Sequence, residues 1–157
     1  MYSMSGSDNT ILLEKTYALQ GGDFMRAGEV SSSIKKTLKE IGIDSQIIRR
    51  MAIASFEAEI NVVCYAEQGT FSLTITPDML KVVVQDVGQG IADIELAMKE
   101  GYSTATEAIR EMGFGAGMGL PNIKKNVDRL AIDSMVGKGT RLEMVIEMKD
   151  LNKKDGN

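Results

Sequence analysis

A chain of 157 residues is long enough for one domain with its own core and short for two. Its net charge of −4 gives no electrostatic case for nucleic acid or an anionic membrane, and no apolar run approaches the roughly 20 residues of a membrane helix. Without histidine, and with Cys64 as the single cysteine, the chain excludes Ser-His-Asp or Cys-His machinery, a phosphate-accepting histidine and an internal disulfide, and it leaves little for zinc.

Residues 1–9 are polar and expected to be disordered. They lack the basic and apolar regions of a signal peptide, so with one unpaired cysteine a cytoplasmic location is expected. Ile11 to Leu19 reads as a strand, broken by Gly21-Gly22. Asp23 is placed to cap a helix in which Ala27, Val30, Ile34, Leu38 and Ile41 recur at helical spacing. Gly42 stands where a left-handed C-cap belongs, and Asp44 can cap the next helix at once. That helix, about Ser45 to Glu67, is apolar nearly all round: Ile47, Ile48, Met51, Ile53, Phe56, Ile60, Val62, Val63. Such a pattern belongs to a helix buried on several sides. Glu57 and Asn61 lie four apart on one face of it. Two readings stand: a solvent-facing polar stripe, or a carboxylate and an amide aimed together into a cavity.

Thr70 to Thr76 alternates, with Phe71, Leu73 and Ile75 on one face. Pro77-Asp78 turns the chain, and Met79 to Asp86 returns as the partner strand of a hairpin. Leu80, Val82, Val84 and Asp86 share a face, so Asp86 is expected on the apolar side unless it turns out into the loop. Ile91 to Glu100 reads as a short amphipathic helix, and a second short piece opens with Thr104 and Glu107 at capping-box spacing. Pro121 occupies a natural first helical position, with Leu120, Ile123, Val127 and Leu130 inward. Ala131 to Val136, the turn Gly137-Lys138-Gly139 and Thr140 to Met148 form a closing hairpin that puts Thr140 on the core face with Leu142, Met144, Ile146 and Met148. The tail 149–157 is polar. Strands with one apolar and one polar face need helices on one side only. The order β-α-α-β-β-α-α-β-β therefore predicts an α+β fold, a two-layer α/β sandwich, as one domain over 10–148.

The chemistry gathers between Asp86 and Pro121. Asp86-Val87-Gly88-Gln89-Gly90 ends an apolar strand, and Gly113-Phe114-Gly115-Ala116-Gly117-Met118-Gly119-Leu120-Pro121 opens a helix. Alternate glycines let a backbone close on a ligand with its N–H groups inward, and the helix adds the positive end of its dipole, so a phosphate is expected there. A carboxylate at one end and a phosphate cradle at the other make a nucleotide site. It is not a Walker loop, because Gly137-Lys138-Gly139-Thr140 lacks the spacing and opens a strand. The Rossmann spacing fails at Met118, and a His-Arg-Asp kinase loop is impossible.

The ordered set Glu57-x-x-x-Asn61, Asp86-x-Gly88-x-Gly90, Gly115-x-Gly117-x-Gly119-Leu120 and Gly139-Thr140 resembles the N, G1 and G2 boxes of the GHKL superfamily, which includes gyrase, MutL and histidine-kinase catalytic domains. Within it, Gly101-Tyr102-Ser103-Thr104 and Gly117-Met118-Gly119-Leu120-Pro121 look most like small bacterial serine/threonine kinases of partner-switching pathways, the RsbT type. The resemblance implies the Bergerat fold, a mixed sheet covered by helices on one face, and it implies ATP with Mg²⁺. Asp86 would accept from the adenine amino group, helped by Thr140 through a water. Asn61 would hold Mg²⁺ and Glu57 would be the general base. Gly88, Gly90, Gly113, Gly115, Gly117, Met118, Gly119 and Leu120 would wrap the nucleotide, and about Ile91 to Met118 would form the ATP lid. Lys124 either touches a phosphate or stays solvated. The implied function is phosphorylation of Ser or Thr on a STAS-type antagonist or another sigma-factor-pathway protein, with a homodimer possible. The other reading is an adaptor that sequesters a regulator and turns over little ATP. One departure is that Val62-Val63-Cys64 follows Asn61 where many members carry basic residues.

Overall fold

The alternation at 70–76 belongs to a longer strand. In the computed structural model, which describes residues 10–103, 107 and 119–148, it is part of β2 (Ala66–Ile75). The sheet also contains β1 (Leu13–Gln20), β3 (Met79–Gly88), β4 (Arg129–Met135) and β5 (Gly139–Glu147), in the order β1-β2-β3-β5-β4. Every neighbouring pair is antiparallel, which corrects the mixed sheet that the resemblance implied. The connections give the reason. Two helices, α1 (Glu29–Glu40) and α2 (Ser45–Tyr65), separate β1 from β2, so the chain reverses three times and β2 returns antiparallel to β1. β3 and β4 do run the same way, but β5 lies between them and no parallel pair forms.

Helices cover one face. Phe71, Leu73, Leu80, Val82, Met144 and Ile146 point from the sheet toward Ile34, Leu38, Met51 and Ala58 of α1 and α2, all fully buried. Burying a side chain of this size contributes about 1.5–3 kcal/mol, and this layer is the main stabilising term. The other face carries Thr16, Thr70, Thr74 and Lys81, none of them buried. Val145 is the exception at 3% exposure, set between the cross-strand neighbours Lys81 and Arg129, whose aliphatic stems suit such a position.

The helix punctuation of the sequence holds at one joint and fails at another. After α1, Gly42 takes φ +82, and the N–H groups of Ile43 and Gly42 donate to the carbonyls of Leu38 and Lys39 at 3.1 Å each, which is a Schellman stop. Asp44 then accepts from Gln46 N at 3.0 Å and opens α2. Asp23, by contrast, caps nothing. It precedes a short 3₁₀ turn, Phe24–Arg26, and α1 starts later, after Gly28.

α2 packs against α1, the sheet and a last helix, α4 (Gly119–Asn126), which explains its apolar circumference. Phe56 is nevertheless 41% exposed, so one residue of the expected core faces out. The helix expected over Ile91–Glu100 shrinks to a single turn, α3 (Ile94–Ala97), capped by Asp93, which accepts from Leu96 N at 3.0 Å. β4 begins at Arg129, so Leu130 belongs to a strand rather than to the inward face of the preceding helix. Thr104 of the Thr104–Glu107 capping box and both chain ends fall outside the described residues. Among the described residues no helix is long and apolar enough to cross a membrane.

Candidate nucleotide site

The C-terminal half of α2, the ends of β3 and β5, the loop after β3 and the start of α4 enclose a cavity of about 590 Å³. That volume lies within the range of about 300–1,000 Å³ usual for small-molecule sites. Glu57, Asn61, Asp86, Gly90, Gly119, Leu120 and Thr140 all line it. Residues from four separate segments thus line one cavity. Gly88 does not join them: a Cβ there would run into Ala66 and the Tyr65 carbonyl, so this glycine serves the packing of β3 against the start of β2. Lys124 is exposed on α4 and stays out of the wall. Gly113, Gly115, Gly117 and Met118 lie outside the described residues.

On α2, the four-residue spacing of Glu57 and Asn61 turns both toward the cavity, in favour of the second of the two readings of that face. Glu57 is half-buried, and its Oε2 accepts from Asn122 Nδ2 at 2.6 Å. Asn61 lies against the first residue of α4. A Cβ on Gly119 would sit 3.2 Å from Asn61 Oδ1, a tight contact that would press on the amide. The Asn61 amide has no hydrogen-bond partner among the described residues.

Across the cavity, Asp86 Oδ1 accepts from the backbone N–H of Thr140 at 3.0 Å. Burial raises the Asp86 carboxyl above the usual carboxylate range, and the Thr140 hydrogen bond opposes that rise. Ser134, directly opposite Thr140 in the β4–β5 ladder, completes the corner. Its Oγ accepts from Ile91 N at 2.8 Å, donates to Gly139 O at 3.1 Å and lies 2.8 Å from Thr140 Oγ1. Either hydroxyl can donate in the Ser134–Thr140 pair, and in both cases Thr140 Oγ1 keeps a lone pair for the cavity. Asp86 and Thr140 then both present acceptors, which suits a ligand bearing an amino group.

Sequence reasoning missed Ser134, Asn122 and Glu59. Ser134 was within reach by counting back across the hairpin from Thr140. Asn122 carries no local signal, because its contact crosses between two helices. Glu59 is 1% exposed on the opposite side of α2 from Glu57. Its carboxylate accepts from Gly28 N at 3.0 Å, Val30 N at 3.1 Å and Ser31 N at 2.9 Å, and so takes over the capping of α1 that Asp23 does not perform. Cys64 also touches the cavity, with its thiol pushed up to about 11 by burial, which leaves it unreactive at neutral pH.

Known proteins resemble this chain in sequence and in fold. Residues 24–146 match the model of the histidine kinase-like ATPase domain. The serine/threonine-protein kinase RsbT of Bacillus subtilis (strain 168) is 30% identical over 115 residues, covering 71% of this chain and 80% of that protein. The anti-sigma F factor of Thermoanaerobacter sp. (strain X514) is 31% identical over 100 residues, 64% of this chain and 62% of that one. A chain in the crystal structure of the SiaB–SiaC complex from Pseudomonas aeruginosa shares the fold, with a TM-score of 0.58 at 16% identity over 87% of this chain and 89% of that one. The chain belongs to the histidine kinase-like ATPase family, the GHKL type that its glycine boxes resemble.

Proposed function

We propose that this protein is an ATP-dependent serine/threonine protein kinase of a partner-switching pathway, acting on a hydroxyl of a STAS-type antagonist. The observation that carries the reading is the placement of Glu57. It lies one helical turn from Asn61 on the same cavity wall, with one carboxylate oxygen held and the other taking no hydrogen bond among the described residues. An adaptor has no use for a half-buried base beside a metal ligand. The likeness to RsbT, a serine/threonine-protein kinase by name, supports it.

Asp86 and Thr140 form the adenine end, two acceptors for an amino group. The described wall carries Glu57, Asp86 and Asp93 and no lysine or arginine, so a polyphosphate entering it needs a countercharge. Among the described residues no three acidic, cysteine or histidine side chains cluster as a metal cage. A lone amide oxygen such as that of Asn61 suits Mg²⁺, which keeps several waters and takes most of its other ligands from phosphates. When bound, the ion would neutralise charge on the phosphates. Glu57 takes the proton of the acceptor hydroxyl as that oxygen bonds the γ-phosphorus. The bond to the β,γ-bridging oxygen breaks, and ADP leaves with the electron pair.

A second reading, an adaptor that holds a sigma factor, is favoured by the anti-sigma F factor relatives. Glu57→Gln separates the two. Glutamine keeps shape and an acceptor oxygen but takes up no proton, and general-base catalysis is typically worth about 10²–10⁴-fold. Single-turnover transfer from γ-labelled ATP to STAS-domain proteins of the same genome should fall by at least about 10²-fold, with ATP affinity nearly unchanged. Transfer at the wild-type rate would remove Glu57 as the base. A wild type that binds such a protein tightly and never phosphorylates it would favour the adaptor.

A further inference from the structure

We propose that Asn122 is the positioning residue for Glu57, holding Oε2 so that Oε1 is left to receive the proton of the acceptor hydroxyl. This inference rests on the reading of Glu57 as the base and goes beyond it, because Asn122 belongs to none of the glycine or asparagine boxes of the sequence.

The geometry is that of two antiparallel helices in step. Gly119 abuts Asn61, and Asn122, three residues further along α4, meets Glu57, four residues back along α2. At 1.5 Å per residue these are advances of about 4.5 Å and about 6 Å, close enough for one side-chain pair to follow the other. The contact runs from Asn122 Nδ2 to Glu57 Oε2 at 2.6 Å. An ionised carboxylate only accepts, so the Asn122 atom facing it is the NH₂ group. The residue's backbone carbonyl is used separately, receiving Asn126 Nδ2 at 2.8 Å, which fixes the helical turn that carries the amide.

The choice of residue type fits the task. A free glutamate side chain rotates about three bonds, and a reacting group misplaced by about 1 Å can lose about 10²-fold in rate. One anchored oxygen restricts those rotations. A neutral amide does this without a positive charge, whereas lysine or arginine would hold the ionised form so well as to oppose proton uptake. Both partners are half-buried, so water competes for the contact only in part.

The test uses the full chain. In Asn122→Ala, single-turnover loss of the γ-phosphate from ATP, to a STAS-domain protein of the same genome or to water when that protein is omitted, should slow by about 10- to 100-fold. The Kd for Mg-ATP and the thermal midpoint should stay close to wild type. Asn122→Asp keeps the shape, removes the donor and sets a second carboxylate beside Glu57, so it should slow transfer at least as much. Transfer at the wild-type rate in Asn122→Ala overturns the proposal. So does a loss that merely parallels falling ATP affinity and thermal midpoint, since that marks a helix-to-helix staple. An independent readout needs no nucleotide: the side-chain amide protons of Asn122, followed by ¹⁵N–¹H spectroscopy, should shift toward the position of exposed asparagines in Glu57→Ala. Signals that do not move remove the contact itself. A wild type with the Asn122 signature that transfers phosphate neither to protein nor to water removes the base, and the positioning role with it, while leaving the contact in place.

Discussion

Glu57 and Glu59 stand two residues apart on α2, and a rotation of about 100° per residue turns them to opposite sides of the helix. Glu59 looks toward α1, is 1% exposed, and is saturated by three backbone N–H groups. Glu57 looks into the cavity, half-buried, with a single amide on one oxygen among the described residues. The same contrast recurs in two aspartates. Asp128, beyond the end of α4, accepts from Arg50 Nη2 at 2.8 Å and Glu147 N at 2.7 Å, while Asp86 in the cavity has one backbone donor among the described residues. A carboxylate whose oxygens are filled by the fold belongs to the frame. One with an oxygen left over is available to a ligand or a proton.

The largest effect that this comparison anticipates on folding is at Glu59. Buried donors that lose their acceptor cost about 1–3 kcal/mol each, and Gly28 is reached in part by water, so Glu59→Ala should lower stability by roughly 2–4 kcal/mol. Glu57→Ala, which frees only the Asn122 amide at a half-buried place, should change stability far less. Urea denaturation of the two variants side by side reads the difference. Equal losses would mean that both glutamates are frame residues, and the distinction drawn along α2 would collapse.

How far the sequence led depended on how local each cause is. The β2–β3 hairpin was legible because alternation at 70–76 and Pro77-Asp78 act within a few residues, and the strand parity that turned Asp86 inward follows from the same count. Gly42 and Asp44 were legible for the same reason: cap and helix are adjacent. The capping of α1 was not, because its acceptor is Glu59, 28 to 31 residues along the chain from the N–H groups it serves. In an apolar helix, one carboxylate facing a cavity and another facing a helix end read alike. Phe56 was misplaced because a helix apolar all round offers no sign of which residue its neighbours leave uncovered. The antiparallel pairing of β3 with β5 depends on which strand slips between two others, which no window of sequence records.

Asp86 sharpens the comparison from the ligand side. Burial raises its carboxyl, partly offset by the Thr140 N–H, so folding favours the protonated form; at pH values above the raised folded value the ionised group detracts from stability. Asp86→Asn keeps an oxygen for the Thr140 N–H and removes the charge. The apo protein at pH 7 should therefore be as stable as wild type or more so. If Asp86 receives the adenine amino group, loss of that charge-assisted hydrogen bond weakens ATP binding by roughly 1.5–3 kcal/mol, about 10- to 150-fold. Calorimetry of ATP binding together with a thermal melt gives both numbers. A melt that drops while affinity holds would move Asp86 from the site to the frame.

The smallest effect is expected at Asp128, where it tests the other half of the contrast. Partial burial alone would raise this carboxyl, but the Arg50 hydrogen bond, the Glu147 N–H and the charges of Arg50 and Arg129 together hold it below the usual carboxylate range. Arg50 Nε also donates to Asn126 O at 2.9 Å, so the group ties α2 to the end of α4 and, through Glu147, to β5. A carboxyl lowered by folding adds stability that is fully present above its unfolded value, near 4, and is lost as the pH falls through the folded value. The side chain is 36% exposed, and solvent screening limits such a pair to about 0.5–1 kcal/mol. Asp128→Asn retains an acceptor for Glu147 N and loses the charge facing Arg50. Denaturation should show that deficit at pH 7 and a clearly smaller one at pH 3, with ATP affinity at neutral pH unchanged. A deficit of the same size at both pH values would assign the effect to packing rather than charge. A loss of ATP affinity would mean that the frame beyond the end of α4 is not independent of the cavity at its start.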